Sequence, residues 1–257
     1  MGTKGVFIKE LEDALFDQRI DLAVHSMKDV PTEMPDGLGI AAICKRHDVR
    51  DALLSSAGAS LANLPRGARL GTSSLRRQSQ LAHVRGDLKM MEIRGNVDTR
   101  IEKLKRGDYD AIVLAKAGLD RLGLSENISE VLSTEICLPA AGQGAIGIEV
   151  RLGDSETIKA VAQLSDVESH AGVTAERAAL AGLEGGCQVS IGAWGRLEGA
   201  RLILDVAVLS PDGTRRISER GEGKPEDARI IGENVASKLR DKGAAALLVR
   251  ESRETRA

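Results

Sequence analysis

Three groups of residues in this sequence have the types and spacing needed for acid–base, anion-binding and nucleophilic chemistry. Lys28 and Asp29 follow a short apolar run, Ile20-Asp21-Leu22-Ala23-Val24. The segment Gly71-Thr72-Ser73-Ser74-Leu75-Arg76-Arg77 leads from one apolar run into a helical pattern, and Cys187 follows a pair of glycines. In open α/β sheets, ligands bind at the carboxyl ends of the strands, so the first two groups are candidates for a binding site. A plain surface ion pair between Lys28 and Asp29 is the alternative for the first group.

Arg76 and Arg77 stand in the first turn of the helix that is predicted after Gly71. Ser74 or a neighbouring hydroxyl can cap that helix, and the free N–H groups there attract anions. The helix dipole disfavours cations at the same end. We therefore expect a bound anion that offsets this cost; pairing with a nearby aspartate is the alternative.

The same arrangement recurs further along the chain. Arg94 ends a predicted strand, Asn96 can cap the following helix, Arg100 lies on that helix, and Arg121 follows the next strand. Each residue alone is typical of surface charge. Together with Arg76 and Arg77 they place several guanidinium groups near one sheet edge, and guanidinium groups suit bidentate recognition of carboxylate or phosphate. A ligand with several negative charges is the expectation.

Two other motifs point to less specific chemistry. Gly142-Gln143-Gly144-Ala145-Ile146-Gly147 matches the dinucleotide-binding pattern, but a strand-like segment follows it instead of a helix, which argues against a nucleotide. Cys187 lies in a glycine-rich loop, a setting that favours an accessible thiol, but burial as a small apolar residue is the usual state of a cysteine and stays open. His170 is the nearest histidine, so a Cys–His hydrolase has no support but stays open.

Composition limits the classes of protein. The chain has 257 residues, of which 42% are apolar, and no long uninterrupted apolar run, so a globular protein with no membrane segment is expected. Lys and Arg total 36 against 38 Asp and Glu, and aromatic residues make up only 2%, which argues against nucleic-acid binding. The three cysteines are far apart, and the start of the chain shows no signal-peptide pattern. We therefore expect a reducing, cytoplasmic location and no metal site.

The pattern of elements predicts an α/β protein. A helix is expected over 5–16 and a strand over 20–24, and strands alternate with helices between 68 and 115, as in a parallel sheet with helices on its faces. From about residue 166 the pattern changes to a small α+β unit with an antiparallel sheet. A helix is expected there over roughly 167–182, and apolar and other residues alternate over 201–208, as in a strand. Residues 1–44 supply too little apolar surface to bury a core alone, so either a partner covers this part or an N-terminal piece is absent.

Five segments in series resemble the porphobilinogen deaminase family, also called hydroxymethylbilane synthase. They are His25-Ser26-Met27-Lys28-Asp29-Val30-Pro31, Gly71-Thr72-Ser73-Ser74-Leu75-Arg76-Arg77, Arg94-Gly95-Asn96-Val97, Leu138-Pro139-Ala140-Ala141-Gly142-Gln143-Gly144 and Leu183-Glu184-Gly185-Gly186-Cys187. The resemblance is in order and spans nearly the whole chain. It implies a transferase of tetrapyrrole biosynthesis that joins four porphobilinogen molecules into hydroxymethylbilane with release of ammonia.

The resemblance also implies an architecture and a cofactor. Two lobes similar to periplasmic binding proteins would comprise 1–45 with 143–165, and 46–142. A C-terminal domain, 166–257, would have a three-stranded antiparallel sheet. A dipyrromethane cofactor would be attached covalently to Cys187 in that domain. The family's first lobe starts with further strands and a helix ahead of Met1, so the first lobe here is expected to be incomplete, and a monomer is expected if the protein is complete.

Residue roles follow from the resemblance alone. Asp29 corresponds to the catalytic acid. The residues expected to contact the cofactor, besides Cys187, are Lys28, Ser74, Arg76, Arg77, Arg94 and Arg100. Those expected beside the substrate are Arg121, Lys4 and Phe7. Two alternatives stay open: an inactive, truncated family member, and a two-lobed anion-binding module without chemistry.

Overall fold

The computed structural model describes residues 3–183 and 190–248 of the chain. The side chains of residues 3–7 lie outside this description. Its strands are β1 (Leu22–Ser26), β2 (Leu38–Ile43), β3 (Asp51–Ser55), β4 (Arg69–Gly71), β5 (Lys89–Met91), β6 (Ala111–Ala115), β7 (Glu130–Val131), β8 (Ile146–Arg151), β9 (Ile191–Glu198), β10 (Arg201–Leu209) and β11 (Arg216–Gly223). Its helices are α1 (Thr3–Phe16), α2 (Leu75–Val84), α3 (Val97–Lys105), α4 (Lys116–Arg121), α5 (Ser155–Ala162), α6 (Val167–Gly182), α7 (Ala228–Asp241) and α8 (Ala245–Leu248).

The first sheet has the strand order β1-β8-β2, and both pairs are antiparallel. Leu15 of α1 packs against Ala23 and Leu38, while Val161 of α5 packs against Ile148 and Val150. The strand predicted over 20–24 lies two residues later, at Leu22–Ser26. Its last two residues, His25 and Ser26, pair with Gly147 and Ile146 of β8. The pairing of β8 with β1 and β2 brings a late segment of the chain into the first lobe.

The second sheet has the order β5-β4-β6-β3-β7. Strand β4 is parallel to β5 and β6, but β3 is antiparallel to β6 and β7. The parallel arrangement predicted for the strands between 68 and 115 is therefore confirmed for β4, β5 and β6. Strands β3 and β7 extend this sheet in the antiparallel sense. Strand β3 begins at a charged residue, Asp51, directly after a highly charged segment, and so has no clear strand pattern at its start.

The C-terminal unit contains an antiparallel sheet of order β11-β10-β9, which confirms the predicted three-stranded sheet. Leu202, Leu204, Val206 and Val208 alternate along β10 and pack against α6 and α7. Helix α6 has the predicted bounds, Val167–Gly182. The α/β class, with two lobes and a small antiparallel unit, is confirmed. The proposed domain boundaries stay a prediction.

Two chain crossings, 44–50 and 138–145, run side by side between the sheets. The Gly144 carbonyl accepts a hydrogen bond from His47 N at 3.1 Å. Gly144 has a φ of +86°, and a Cβ there would lie 2.8 Å from the His47 carbonyl oxygen, so glycine is needed for this close approach. Within the described residues, no helix has both the length and the apolar character needed to cross a membrane.

Candidate active site

The Met27–Asp29 turn is a single 3-10 turn that directly follows β1. Met27 is buried and packs with Val30, Ala145 and Val173. Gly142 of the second crossing lies against the turn: a Cβ at Gly142 would be 2.7 Å from Met27 Cβ. Lys28 and Asp29 are both partly buried. The sequence motif at 138–144 therefore supports the turn that presents Asp29.

The loop before α2 is fixed by short-range hydrogen bonds. Ser74 is the N-cap of α2, and its Oγ accepts from Arg77 N at 3.5 Å. Ser73 Oγ donates to the Ile93 carbonyl at 2.7 Å and accepts from Ile93 N at 3.0 Å. The predicted N-cap at Ser74 is confirmed. The serines join the start of α2 to the segment that follows β5, and so set the direction in which the first turn of α2 points.

Arg76 and Arg77 share one carboxylate, that of Asp51. Arg76 NH1 lies 2.7 Å from Asp51 Oδ2, while Arg77 Nε and NH2 lie 3.0 and 2.7 Å from Asp51 Oδ1. All three side chains are buried, and Asp51 is 0% exposed. Pairing with a nearby aspartate, the alternative raised from the sequence, is thus correct for these donors.

The ionisation of this cluster follows from its charges. Burial alone would raise the pKa of Asp51, but Arg76 and Arg77 outweigh burial and hold that pKa well below its ordinary value. Cys137 Sγ lies 3.4 Å from Asp51 Oδ2. Burial, and then the Asp51 charge, raise the pKa of the Cys137 thiol to about 12, so this thiol is neutral at physiological pH.

The cluster retains an excess of positive charge. Two guanidinium groups share one carboxylate, and Arg100 lies close enough to Arg77 for their charges to interact. Burial lowers the pKa of Arg100, and the positive charge of Arg77 lowers it further. Arg100 Nε donates to the Gly95 carbonyl at 2.8 Å, and no carboxylate in the described part of the chain forms an ion pair with its guanidinium group.

Arg76 also has an unused donor. Its NH1 donates to the Leu138 carbonyl at 2.6 Å, but its Nε is buried and has no hydrogen-bond partner within the described residues. Because a buried donor without an acceptor is costly, this atom is a natural contact for a ligand oxygen. The donor set at the start of α2 therefore fits a ligand with carboxylate groups.

Two residues of this site were missed in the sequence analysis. Gln143 Nε2 donates to the Val49 carbonyl at 2.7 Å and to Asp51 Oδ1 at 3.0 Å, so it joins the two crossings. Asp51 directly follows the charged segment 45–50 and was not named there. A polar residue next to the buried run Ala52-Leu53-Leu54 was the available signal for Asp51. Gln143 had no signal beyond its place between two glycines.

The remaining predicted residues lie apart from the cluster or outside the description. Arg121 NH2 donates to the Gly144 carbonyl at 3.2 Å, which places it beside the second crossing. Arg94 is exposed and pairs with Glu92, so the structure does not bring it to Arg76 and Arg77. Lys4 is on α1 with Phe7, but neither side chain is described. Cys187 lies outside the described residues.

The C-terminal unit is attached at the same place. Glu176 of α6 is fully buried and accepts hydrogen bonds from Arg46, from Gly142 N at 2.7 Å and from Gly195 N at 2.7 Å. Arg46 Nε donates to the Gln143 carbonyl at 2.8 Å. The crossing at 138–145 is therefore in contact with both lobes and with the C-terminal unit, to which Cys187 belongs in sequence.

Comparison with known proteins assigns the chain to a family. The family model described as porphobilinogen deaminase, dipyromethane cofactor binding domain, matches residues 1–159, and the model of the porphobilinogen deaminase C-terminal domain matches residues 171–241. The chain belongs to the porphobilinogen deaminase family. A porphobilinogen deaminase of Pelotomaculum thermopropionicum is 50% identical over 256 residues, which cover 100% of this chain and 82% of the relative.

Similar solved structures are distant. A YaeC-family lipoprotein from Enterococcus faecalis is 15% identical with a TM-score of 0.39, over 60% of this chain and 74% of that one. The second substrate-binding domain of a putative amino acid ABC transporter from Streptococcus pneumoniae is 15% identical with a TM-score of 0.40, over 59% and 68%. These similarities are too low to support a functional argument.

Membership of the porphobilinogen deaminase family establishes the reaction class. The protein is a transferase, hydroxymethylbilane synthase, of tetrapyrrole biosynthesis, and its first 159 residues match the domain that binds the dipyrromethane cofactor. Within residues 3–183 and 190–248, no group of three or more His, Cys, Asp and Glu side chains is arranged to hold a metal ion.

Proposed function

We propose that this chain joins four porphobilinogen molecules with Asp29 as the catalytic acid and with the dipyrromethane cofactor attached to Cys187. The observation on which the proposal depends is the excess positive charge at the start of α2. Among the described residues, Asp51 supplies the one carboxylate that forms ion pairs with Arg76 and Arg77, and Arg100 lies near Arg77. Each pyrrole unit of the substrate has an acetate and a propionate group, so a growing chain supplies the negative charges that this cluster lacks.

The residues present fit the cofactor. The unpartnered Nε of Arg76 needs an acceptor, and Arg77 and Arg100 together favour a carboxylate. Arg76, Arg77, Arg100, Ser74 and Lys28 would hold the acid groups of the dipyrromethane, which supplies the starting point for chain growth when it is bound. Arg94, which is exposed in the structure, would contribute from the protein surface. Arg121, Lys4 and Phe7 would lie beside the incoming substrate.

Asp29 would act on the charge that develops when porphobilinogen loses ammonia. Positive charge then builds up at the pyrrole nitrogen, and a fixed carboxylate next to that nitrogen stabilises it and exchanges a proton with it. Proton transfer by a positioned group contributes about 10²–10⁴-fold to a rate. The packing of Gly142 against the Met27–Asp29 turn supports this role, because a carboxylate on a well-packed turn is held in a fixed direction.

Partners and location form part of the proposal. We expect the protein to bind porphobilinogen, to act as a monomer if it is complete, to bind no nucleic acid and to work in the cytoplasm. The nearly balanced charge of 36 basic and 38 acidic residues and the scarcity of aromatic residues support the absence of nucleic-acid binding. The separation of the three cysteines along the chain supports a reducing compartment.

Intact-protein mass spectrometry tests the proposal directly. Wild-type protein is expected to have the added mass of two pyrrole units, and Cys187→Ser is expected to fold without this adduct. Asp29→Asn is expected to keep the adduct but to stop elongation when porphobilinogen is added. Asp36→Asn, which changes an exposed aspartate in the following loop, is the matched control and should turn over normally.

Each failure has a distinct meaning. An unmodified wild-type protein that binds porphobilinogen without consuming it would be an anion-binding module. A protein that neither binds nor consumes porphobilinogen would be an inactive family member. Normal turnover by Asp29→Asn would overturn the proposed role of Asp29 and would leave the other parts of the proposal standing.

A further inference from the structure

Arg177 of α6 binds the backbone of the segment that follows Asp29. Its NH1 donates to the Val30 carbonyl at 2.9 Å, and its NH2 lies 2.5 Å from the Pro31 carbonyl and 3.5 Å from the Thr32 carbonyl. One guanidinium group thus contacts three successive carbonyl oxygens. Such a contact fixes the path of the backbone in a way that a single hydrogen bond does not, because the guanidinium group is planar and rigid.

Apolar packing from the same face of α6 reinforces this contact. Val173 lies one helical turn before Arg177 and is in one cluster with Met27 and Val30. The Met27–Asp29 turn is therefore held from two sides, by Val173 on its buried side chains and by Arg177 on the carbonyl groups that follow it. Both residues belong to the C-terminal unit, and Asp29 belongs to the first lobe.

Helix α6 also leads towards the cysteine. It ends at Gly182, and Cys187 follows in the next segment of the chain. One helix thus joins the segment next to the proposed acid to the segment that contains the proposed attachment point. A helix is stiff over this length. The contact of Arg177 with residues 30–32 therefore fixes the distance between those residues and the end of α6 at Gly182.

We propose that Arg177 is a positioning residue that fixes the direction of the Asp29 carboxylate relative to α6. This inference rests on the proposed role of Asp29. Arg177 is proposed to act through the backbone of Val30, Pro31 and Thr32. Its loss should therefore lower the rate of the chemical step and leave the binding of carboxylate groups by the arginine cluster unchanged.

A purely structural role is the alternative, and kinetics separate the two. Arg177→Gln is expected to lower kcat about tenfold or more, since a small displacement of a catalytic group is costly. KM for porphobilinogen should stay within about twofold and the pyrrole adduct should still be present by intact mass, because these depend on the arginine cluster and on Cys187 and not on the direction of the Asp29 carboxylate. A KM rise with unchanged kcat, or a missing adduct, would overturn the inference.

Arg85→Gln is the matched control. Arg85 is a partly buried arginine of the second lobe that donates to the Leu61, Ala62 and Leu64 carbonyls at 2.6, 3.1 and 2.9 Å. It therefore makes the same kind of contact far from Asp29 in sequence, at the C-cap of α2. Similar changes in melting temperature but a kcat loss only in Arg177→Gln would support positioning. Equal kcat losses in both variants would show a general effect of stability.

A double-mutant cycle tests whether Arg177 acts through Asp29. Asp29→Glu keeps a carboxylate but lengthens the side chain by one methylene. The direction set by Arg177 then no longer places the carboxylate next to the pyrrole nitrogen. Arg177→Gln should cost less than about threefold in kcat in that background, because coupled residues do not have additive effects. A full additive loss would contradict the proposal.

Arg177→Lys covers the case in which Arg177→Gln does not fold. Lysine keeps the charge but lacks the planar fork, so it should give an intermediate kcat with an unchanged KM. Full wild-type kcat in Arg177→Lys would overturn the proposal. Normal turnover by Asp29→Asn would instead remove the proposed function on which the inference rests, so the two failures are distinguishable.

Discussion

Gln143 and Asp51 are joined by a hydrogen bond of 3.0 Å from Gln143 Nε2 to Asp51 Oδ1. Gln143 lies on the second crossing, Asp51 begins β3 directly after the first crossing, and both side chains are buried. Their contact connects the charge that holds Arg76 and Arg77 to the segment that packs against the Met27–Asp29 turn. The arginine cluster and the proposed acid are thus parts of one connected network and not independent surface features.

Loss of the Gln143 side chain should destabilise the fold. Gln143→Ala leaves the partly buried Val49 carbonyl without this donor and removes one donor from the buried Asp51, which should cost about 1–3 kcal/mol in the free energy of unfolding. Urea denaturation measures this difference. Gln163→Ala is the control, because the Gln163 amide makes only an exposed local bond to the Ala160 carbonyl. Equal effects of the two substitutions would contradict the connecting role of Gln143.

Removal of the Asp51 charge should be more severe. Asp51→Asn leaves two buried guanidinium groups without a counter-charge, which should cost about 3–5 kcal/mol. Asp110→Asn, which breaks the more exposed pair with Arg69 in the same sheet, should cost about 1 kcal/mol or less. A smaller effect for Asp51 than for Asp110 would show that the buried arginines find another partner.

The effect of Asp51 should depend on pH in a defined direction. Its pKa is lower in the folded protein than its unfolded value of about 3.9, so the ionised carboxylate stabilises the fold above that value. The difference in unfolding free energy between wild type and Asp51→Asn should be constant from about pH 5 to 7 and should shrink as the pH falls below about 4. A difference that grows on acidification would have the wrong sign.

Substitution of Arg100 should weaken the binding of acidic ligands. Arg100→Gln is expected to raise KM for porphobilinogen about tenfold or more, since hydrogen bonds to charged groups contribute about 1.5–3 kcal/mol. The variant should also show a weaker rise of KM with added salt, because it lacks one charge that salt screens. Arg106→Gln, which changes an exposed arginine paired with Asp108, should leave KM unchanged.

The Cys137 thiol should be inert in the folded protein. Burial raises its pKa to about 12, and the thiolate is the reactive form. Alkylation at pH 8 followed by peptide mass spectrometry should leave Cys137 unmodified and should modify the partly exposed Cys44. After denaturation both should react. Native labelling of Cys137 at the rate of Cys44 would show that the cluster opens readily.

The sequence by itself determined the local elements and the family. The cap at Asn96, the bounds of α6, the alternation along β10 and the strand after Gly144 follow from short-range patterns, because a cap or an apolar face needs only a few neighbouring residues. The five motifs identified the family, and the candidate acid and arginines were named from them.

Only the tertiary structure decided how charges pair and which strands meet. Asp51 is distant in sequence from Arg76, and nothing in its neighbours indicates that β3 will run antiparallel to β6 and place its carboxylate between two guanidinium groups. Likewise Arg177 is far from Val30 in sequence, and the contact exists only because α6 packs across the first lobe. Ion pairs and carbonyl contacts depend on distances of a few ångströms between segments that are far apart along the chain, and such distances are set only when the sheets and helices pack together.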